Sequence, residues 1–326
     1  FGMDAEMPDM LYGTVVRPTK IGAKFMGADT SGAEGMPGVV KIVNEDDFVG
    51  VVANSLIEAE NAKSAIKVEW DVPANISTED ITKMMTVGNG GTTIIQKEGD
   101  EIDEGEDAVT MEFRSPLGAH AQIEPNGVLV SVEGDKAIVK ISTQVIGITR
   151  KEVAERLGLD EENVNVIPMF LGGGFGRRLH TPHAVHAAIM SKAVGKPVKY
   201  FFSRKEEFQH DMFRPPTHHV VKGKLDSDGK LENLEHHFVS GDVGNNSALM
   251  PNIVPTIMGA DLGAIRGGFI QYTNVPNYRS VYWHVQLPFA TSFWRSLGLL
   301  ANTFAIESFI DEMAVKAKKN PVDFRL

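Results

Sequence analysis

The amino-acid sequence predicts an α+β protein of two or three domains, and three observations support this fold class. Short runs rich in β-branched residues are separated by clusters of glycine, proline and polar residues, as in strands joined by turns. Residues 137–202 alternate between strand-like and helix-like patterns, in the order strand, helix, strand, helix, strand. The length of 326 residues exceeds that of an average single domain. We place one boundary near residue 95, which separates residues 1–95 from residues 96–326.

The first domain contains four strand-like runs and one helical segment. The helix covers residues 55–66, where Leu56, Ala59 and Ala62 recur at helical spacing. The strands lie on both sides of the helix, at residues 10–16, 39–43, 48–53 and 66–71. Residues 73–93 are polar and rich in glycine, and we interpret them as a linker.

An acidic run opens the second domain, with seven carboxylates from Glu98 to Asp107. A calcium site would need a turn glycine and a ligand spacing that this run does not show, so we interpret it as a solvated loop. A strand at residues 108–114 follows. Residues 128–132 and 137–141 alternate apolar and polar side chains around a Gly-Asp pair, which predicts a β-hairpin.

The middle of the chain has well-marked helix ends. Thr149 followed by Glu152 predicts the cap of a helix over residues 149–157, which Gly158 ends. Residues 164–171 form an apolar strand-like run. Pro182 is typical of the first position of a helix, which we extend to Ala193, and a strand at residues 198–202 follows.

The last third of the chain predicts a hairpin, a long loop, a strand and a helix. The hairpin turns at residues 227–230, and residues 241–268 are rich in Gly, Pro and Asn, as in a long functional loop. A strand is predicted at residues 278–285. The helix covers residues 301–317, where apolar side chains recur on one side.

Composition excludes several classes of function. The net charge of −11 and the lack of a basic stretch argue against a nucleic-acid partner. The sequence has no cysteine, so the chain contributes no disulfide, thiolate nucleophile or iron–sulfur ligand. No run approaches the roughly 18 apolar residues of a membrane span. Because the sequence opens at Phe1 without a start methionine, we expect a processed or excised chain.

The segment Phe170-Leu-Gly-Gly-Gly-Phe-Gly-Arg-Arg178 carries the strongest local signal. Glycines between a strand and a helix leave backbone N–H groups open to an anionic or carbonyl-rich ligand. The dinucleotide fingerprint would need a glycine at Arg177, and a phosphate-binding P-loop would end in Gly-Lys-Ser/Thr, so neither motif is present. A tight turn whose glycines serve packing is the structural alternative. A nucleotide-binding loop is a further enzymatic alternative.

Histidines and other polar residues give weaker signals. His180, His183 and His186 are spaced by three, whereas metal pairs on helices are usually four apart. The pairs His218-His219 and His236-His237 lie in strand-like segments, where neighbouring side chains point to opposite faces. We therefore expect surface or capping roles for these pairs.

Two single residues could contact a polar ligand. Gln144 ends a strand, and its amide could hydrogen-bond a polar group. Arg295 lies in a loop with aromatic neighbours, Ser292-Phe-Trp-Arg-Ser-Leu-Gly298, where a structural role is the simpler reading. From the residues alone, the sequence supports only a mixed α/β protein with a glycine-rich anion or cofactor loop.

Several segments taken in order resemble the large, molybdenum-binding subunit of the xanthine oxidase family of molybdenum hydroxylases. The branch it most resembles is the beta subunit of isoquinoline 1-oxidoreductase and related aldehyde dehydrogenases. Each segment alone is a weak match, but their order along the whole chain is specific. The segments are Pro8–Gly13 with residues 37–39 and 66–71, His120–Asn126, Ser142–Gln144, Gly172–Arg178, and Phe293–Gly298 followed by Phe304–Ala314.

The resemblance implies a fold, a cofactor and roles for particular residues. Residues 1–95 would form an α/β hammerhead domain, and residues 96–326 the first, mixed α/β part of a molybdenum cofactor-binding domain that is truncated at its C-terminus. Gln144 and Arg295 would be catalytic. The cofactor, molybdopterin cytosine dinucleotide, would contact Gly172, Gly173, Gly174, Phe175, Gly176, Arg177, Arg178 and Ser296.

The sequence departs from the family at three places. Leu179 stands where purine-oxidising relatives have a substrate-binding glutamate, which makes a purine substrate doubtful. Ser296 replaces the copper-binding cysteine of the carbon monoxide branch. The family's catalytic glutamate lies in a Gly-x-Gly-Glu segment that this sequence lacks. We therefore expect the chain to be inactive alone.

The resemblance also implies a reaction and partners. The intact enzyme would oxidise an N-heteroaromatic or aldehyde substrate with water as the oxygen source. A small [2Fe-2S] subunit would carry the iron–sulfur clusters, and the remainder of the molybdenum-binding subunit would supply the glutamate. The alternative is a non-catalytic binding or assembly module on the same fold.

Overall fold

A computed structural model describes residues 1–100, 105, 107–245, 259–272 and 274–326. The chain divides into two compact units. Unit 1 comprises Phe1–Ala74 and His120–Asp211, and unit 2 comprises Asn75–Ala119 and Met212–Leu326. Residues 101–104 and 106 of the predicted acidic loop, and residues 246–258 of the predicted long loop, lie outside the described residues.

Unit 1 is built on a seven-stranded sheet and a two-stranded ribbon. The ribbon pairs β2 (Lys24–Asp29) with β5 (Lys67–Asp71). The sheet contains β1 (Leu11–Val15), β3 (Val39–Asn44), β4 (Val49–Ala53), β8 (Gly127–Glu133), β9 (Lys136–Ile141), β10 (Val164–Pro168) and β11 (Val198–Phe201). Their order across the sheet is β10-β9-β8-β11-β1-β4-β3.

Pairing between distant strands explains why unit 1 combines two stretches of the chain. β1 lies parallel to β11, with Leu11 opposite Val198. Four helices accompany the sheet: α1 (Leu56–Ala65), α3 (Ile146–Leu157), α4 (Pro182–Val194) and α5 (Arg204–Gln209). The lack of a side chain at Gly13 in β1 makes room for Met190 of α4, because a Cβ on Gly13 would lie 2.7 Å from Met190 Cε.

Unit 2 is a five-stranded sheet with helices beside it. The strands are β6 (Gly91–Glu98), β7 (Val109–Ser115), β12 (Thr217–Leu225), β13 (Leu231–Ser240) and β14 (Asn277–His284), in the order β6-β14-β13-β12-β7. Its described residues form the helices α2 (Thr78–Met84), α6 (Leu299–Lys316) and α7 (Pro321–Arg325). Phe309 and Met313 of α6 pack with Val221 and Leu234 of the sheet in one buried cluster.

The α+β class is confirmed, as are both hairpins and the alternating pattern of residues 137–202. The compact units divide the chain differently from the boundary near residue 95, which stays a prediction. Among the described residues, no helix is both long and apolar enough to cross a membrane.

The predicted cap at Thr149 is wrong. Helix α3 begins at Ile146, and Thr149 lies buried in its first turns. The Thr149 hydroxyl donates to the carbonyl oxygen of Val145 at 2.9 Å instead of accepting from the next turn. Glu152 accepts a hydrogen bond from Thr181, just before α4. The Thr-x-x-Glu spacing therefore serves contacts between α3 and the start of α4.

The linker at residues 73–93 contains regular structure that the sequence reading missed. Ser77 and Asp80 form a capping box that begins α2. The first residues of β6 also fall in this stretch. The strand β2 and the short helix α5 were missed as well.

The surface or capping roles predicted for the histidine pairs are wrong for their buried members. His219 and His236 lie on adjacent strands, β12 and β13, and are 1% and 0% exposed. Their rings stack, with 3.0 Å between His219 Nδ1 and His236 Nε2. Burial lowers the pKa of His236 to about 3, so this ring stays neutral and can lie in the core.

Candidate cofactor-binding site

The glycine loop, residues 170–178, follows β10 and lies before α4 in the chain. Gly173 and Gly176 have φ angles of 97° and 109°, which other residues rarely adopt. Phe175, between them, has a φ of 55° although it is not glycine. This residue is 42% exposed, so packing of its ring does not explain the conformation. Residues held in such backbone regions cluster at functional sites.

Three consecutive N–H groups of this loop have no partner within the described part of the chain. Gly172 donates to Glu124 Oε2 at 2.8 Å, and Gly176 donates to Gln144 Oε1 at 3.1 Å. Between these two, the N–H groups of Gly173, Gly174 and Phe175 have no hydrogen-bond partner among the residues that the structure describes. Successive open N–H groups form a concavity that binds anions and other acceptors.

Gln144 lies against this loop, and its predicted contact with a polar ligand stays a prediction. A Cβ on Gly174 would lie 2.7 Å from Gln144 Oε1, so glycine is needed for this approach. The backbone N–H of Gln144 donates to the carbonyl oxygen of Arg178 at 3.2 Å. The side chain is exposed, and because its Oε1 is engaged, the Nε2 donor is the group left for a ligand.

Arg177 and Arg178 face the interior of unit 1. They are 1% and 0% exposed. Arg178 donates to Asn126 Oδ1 at 3.0 Å, and its Nη2 lies 3.0 Å from Glu124 Oε2. Their assignment as cofactor-binding residues stays a prediction, but neither side chain reaches the surface, so the guanidinium groups are not the donors that the sequence indicated.

The Arg177 guanidinium belongs to a second buried ion cluster. Its Nε lies 2.9 Å from Glu207 Oε1 and 3.0 Å from Asp211 Oδ1, although the N–H direction is aligned with neither oxygen. Burial alone would raise the pKa of Asp211, but hydrogen bonds from His120 and the charge of Arg177 lower it. The nearby His180 has its pKa lowered to about 4, by burial and then by Arg177, and so is neutral near pH 7.

Sequence reasoning missed the acidic residues of these clusters. Glu124, Glu207 and Asp211 come from separate parts of the chain, and 43 acids offered no way to choose among them. The segment His120-Ala-Gln-Ile-Glu-Pro-Asn126 was recognised only as a family resemblance. It carried a usable signal, since His120 and Glu124 both take part in the buried clusters.

Arg295 and Ser296 belong to unit 2 and are described separately from the glycine loop. Arg295 is exposed, and the part of the chain that the structure describes offers it no hydrogen bond or ion pair. Ser296 and Leu297 have φ angles of 74° and 55°. Two consecutive residues in the left-handed region make this a strained segment, which its surroundings must hold in place.

Gly298 supports this strained segment, and Gly298→Ala should destabilise unit 2 by about 1–3 kcal/mol. A Cβ at this position would overlap the carbonyl oxygen of Ala264, which is backbone and cannot turn away. The φ of −62° would itself suit alanine, so the effect is steric. Urea unfolding measures the loss. Gly147→Ala in α3 is the control, because a Cβ there meets open space; equal losses in the two variants would contradict the explanation.

Strained backbone, open N–H groups and an adjacent amide make this loop a candidate site for an acceptor-rich ligand. A family model described as the molybdopterin cofactor-binding domain matches residues 87–326. The chain therefore belongs to the molybdopterin cofactor-binding domain family. The relation to the molybdenum-binding subunits of the xanthine oxidase family, drawn from the sequence, is confirmed.

Two relatives illustrate the relation. The chain is 29% identical to the membrane-bound aldehyde dehydrogenase [pyrroloquinoline-quinone] of Gluconacetobacter polyoxogenes, over 100% of this chain and 45% of that protein. It is 27% identical to isoquinoline 1-oxidoreductase subunit beta of Brevundimonas diminuta, over 100% of this chain and 44% of that protein. The chain thus spans less than half the length of these relatives.

A solved structure shows the same fold. Quinoline 2-oxidoreductase from Pseudomonas putida 86 superposes with a TM-score of 0.79 at 20% identity, covering 100% of this chain and 47% of the other. At this identity the likeness concerns the fold alone. The predicted hammerhead fold is consistent with it.

Proposed function

We propose that this chain forms one side of a molybdenum cofactor site in a molybdenum hydroxylase. The observation that carries the proposal is the row of unpaired N–H groups at Gly173, Gly174 and Phe175 beside the exposed amide of Gln144. Oxygen and pterin groups of the cofactor accept hydrogen bonds, so this donor set fits them. When bound, the cofactor would supply the oxidation of the substrate carbon, with water as the oxygen source.

The residues of the chain would bind and orient. Backbone N–H groups fixed in advance stabilise charge without reorganising during the reaction. Gln144 Nε2 would donate a hydrogen bond to the bound group, and Gly172 and Gly176 would hold the ends of the loop. Arg295, an exposed cation beside a strained segment, would orient the substrate. Ser296 beside it would contact the cofactor.

The complete enzyme would act on an aldehyde or an N-heteroaromatic ring. Molybdopterin cytosine dinucleotide is the cofactor form that we propose, with iron–sulfur clusters on a small [2Fe-2S] subunit. The remainder of the molybdenum-binding subunit would bring the catalytic glutamate. A non-catalytic module would gain support from Arg177 and Arg178 pointing to solvent, but both are buried.

Metal and cofactor analysis of the complete complex tests the proposal. We expect molybdenum and a pterin in the complex, together with substrate oxidation coupled to a dye. The isolated 326-residue chain should show no turnover under the same conditions. A complex that lacks molybdenum and pterin, or that holds pyrroloquinoline quinone instead, would overturn the cofactor assignment. Turnover by the isolated chain would overturn its dependence on a partner.

A further inference from the structure

Both ends of the glycine loop are tied to one buried carboxylate. Glu124 Oε2 accepts the N–H of Gly172 at 2.8 Å and lies 3.0 Å from Arg178 Nη2. The backbone N–H of Glu124 also donates to the carbonyl oxygen of Gly172 at 3.0 Å. Arg178 Nη2 donates to the carbonyl oxygen of Glu124 at 2.6 Å. The distance between the two ends of the loop is therefore set by the Glu124–Arg178 pair.

The same carboxylate connects the loop to the segment that carries Gln144. Glu124 Oε1 accepts a hydrogen bond from Ser142 Oγ at 3.2 Å. The Ser142 hydroxyl also lies 2.8 Å from the carbonyl oxygen of Phe170, just before the loop. Ser142 lies only two residues before Gln144, so Glu124 fixes the loop and the amide relative to each other.

Glu124 and Arg178 act from inside the protein. They are 7% and 0% exposed, and every named partner belongs to unit 1. A Cβ on Gly172 would overlap Glu124 Cβ, which shows how closely the carboxylate lies under the loop. Removing one member of a buried ion pair leaves an uncompensated charge, so the pair acts as a unit.

We propose that Glu124 and Arg178 are positioning residues, which hold the glycine loop in the shape that presents the N–H groups of Gly173, Gly174 and Phe175 in a row. The proposal rests on the proposed function of this loop as a cofactor site. It assigns the Arg178 side chain to support of the loop, while the loop backbone makes the contacts with the cofactor.

Hydrogen exchange in the isolated chain tests the positioning role without the cofactor. In Glu124→Gln and Arg178→Lys, the bonded amides of Gly172 and Gly176 should exchange about tenfold faster than in the unaltered chain. Arg178→Lys keeps the positive charge but loses the planar guanidinium group with its several N–H donors. It should therefore not protect the loop amides from exchange as arginine does. Ser142→Ala removes one hydroxyl only, and gives a milder variant if the others fail to fold.

Lys63→Gln is the matched control. It breaks another partly buried ion pair of unit 1, in which Lys63 Nζ lies 3.0 Å from Glu206 Oε1. This variant should leave exchange in the loop unchanged. Unaltered loop exchange in the Glu124, Arg178 and Ser142 variants, or equal acceleration in Lys63→Gln, would overturn the positioning role.

Cofactor content separates this inference from the proposed function. In the complete complex, the Glu124 and Arg178 variants should hold less than about a tenth of the molybdenum and pterin of the unaltered complex, while Lys63→Gln holds the full amount. Full cofactor content in the two variants would overturn the inference alone. An unaltered complex without molybdenum and pterin would overturn the proposed function, whatever the exchange data show.

Discussion

Lowering the pH from 6.5 to 5 is expected to reduce the free energy of unfolding of this chain by several kcal/mol. Fully buried histidines are the cause, since burial lowers the pKa of His183 and His219 well below 6.5 and that of His236 to about 3. In the unfolded chain these rings would bind protons near pH 6.5. The unfolded state therefore binds more protons as the pH falls, and the folded state loses stability.

The size and pH window of the effect follow from the same shifts. Each fully buried histidine contributes about 1.4 kcal/mol per pH unit between pH 6.5 and its folded pKa, so about 2 kcal/mol between pH 6.5 and 5. Above pH 6.5 this contribution is constant. Carboxylates with lowered pKa values, such as Asp211, lose their contribution only below about pH 4, so the window above pH 5 isolates the histidines.

His183→Leu provides the direct test. His183 is 0% exposed, and within the described part of the chain neither of its ring nitrogens has a hydrogen-bond partner. An apolar side chain of similar size should be tolerated at pH 7, and it removes one titrating group. Urea unfolding at several pH values gives the free energy of unfolding as a function of pH. Between pH 6.5 and 5 this free energy should fall less steeply in the variant, by the contribution of about one proton. A slope equal to that of the unaltered chain would contradict the explanation.

His284→Gln should leave the slope between pH 6.5 and 5 unchanged and alter the pH dependence of stability only above pH 6.5. The hydrogen bond with Asp242 raises the pKa of His284 in the folded state. A raised pKa adds stability below pH 6.5 that is lost as the pH rises through the folded value. Removing His284 should therefore abolish a decline in stability between pH 6.5 and the raised folded pKa, while the loss between pH 6.5 and 5 stays as steep as in the unaltered chain. The pair of variants distinguishes titration from a general effect of mutation.

Local signals in the sequence predicted much of the fold. Gly158 ends α3 with a φ of 69°, and Pro182 begins α4 as expected. Each of these signals depends on a few neighbouring residues in the sequence. It can be recognised without knowing which distant segment packs against the helix. The capping box of Ser77 and Asp80 was equally local and could have revealed α2, but the polar composition of residues 73–93 concealed it.

Burial of polar residues could not be predicted in the same way. His219 and His236 are buried because two adjacent strands place their rings against each other, and this register is not readable from either strand alone. The family resemblance predicted a cofactor contact for Arg178, whereas its side chain lies in the interior. Its interior position depends on Glu124, which is distant in sequence.

Asp261→Asn is expected to destabilise unit 2 by about 3 kcal/mol or more. The Asp261 carboxylate is 2% exposed and accepts five backbone N–H groups. The donors, at 2.8–3.1 Å, are Val243, Gly244, Asn245, Gly263 and Ala264. An asparagine keeps one acceptor oxygen and turns an NH2 group towards the remaining donors, which leaves buried N–H groups unpaired.

Asp226→Asn is the matched control for this substitution. Asp226 Oδ1 also accepts two backbone N–H groups, from Asp228 and Lys230 at 2.9 Å each, but it lies in an exposed turn. Water can replace these bonds, so the loss should stay below about 1 kcal/mol. Urea unfolding compares the two variants. Similar losses at both positions would show that the buried carboxylate is not the organising group that its contacts indicate.

The effect of Asp261 should extend to the segment that carries Arg295. Asp261 holds the N–H of Gly263, and the carbonyl oxygen of Gly263 accepts the N–H of Gly298 at 3.0 Å. Because Ser296 and Leu297 are strained, this segment should relax when the support is lost. Hydrogen exchange over residues 294–302 should therefore accelerate in Asp261→Asn and not in Asp226→Asn. If exchange over these residues stays unchanged in a destabilised Asp261 variant, Asp261 stabilises unit 2 but does not hold the segment that carries Arg295. Other contacts would then position Arg295.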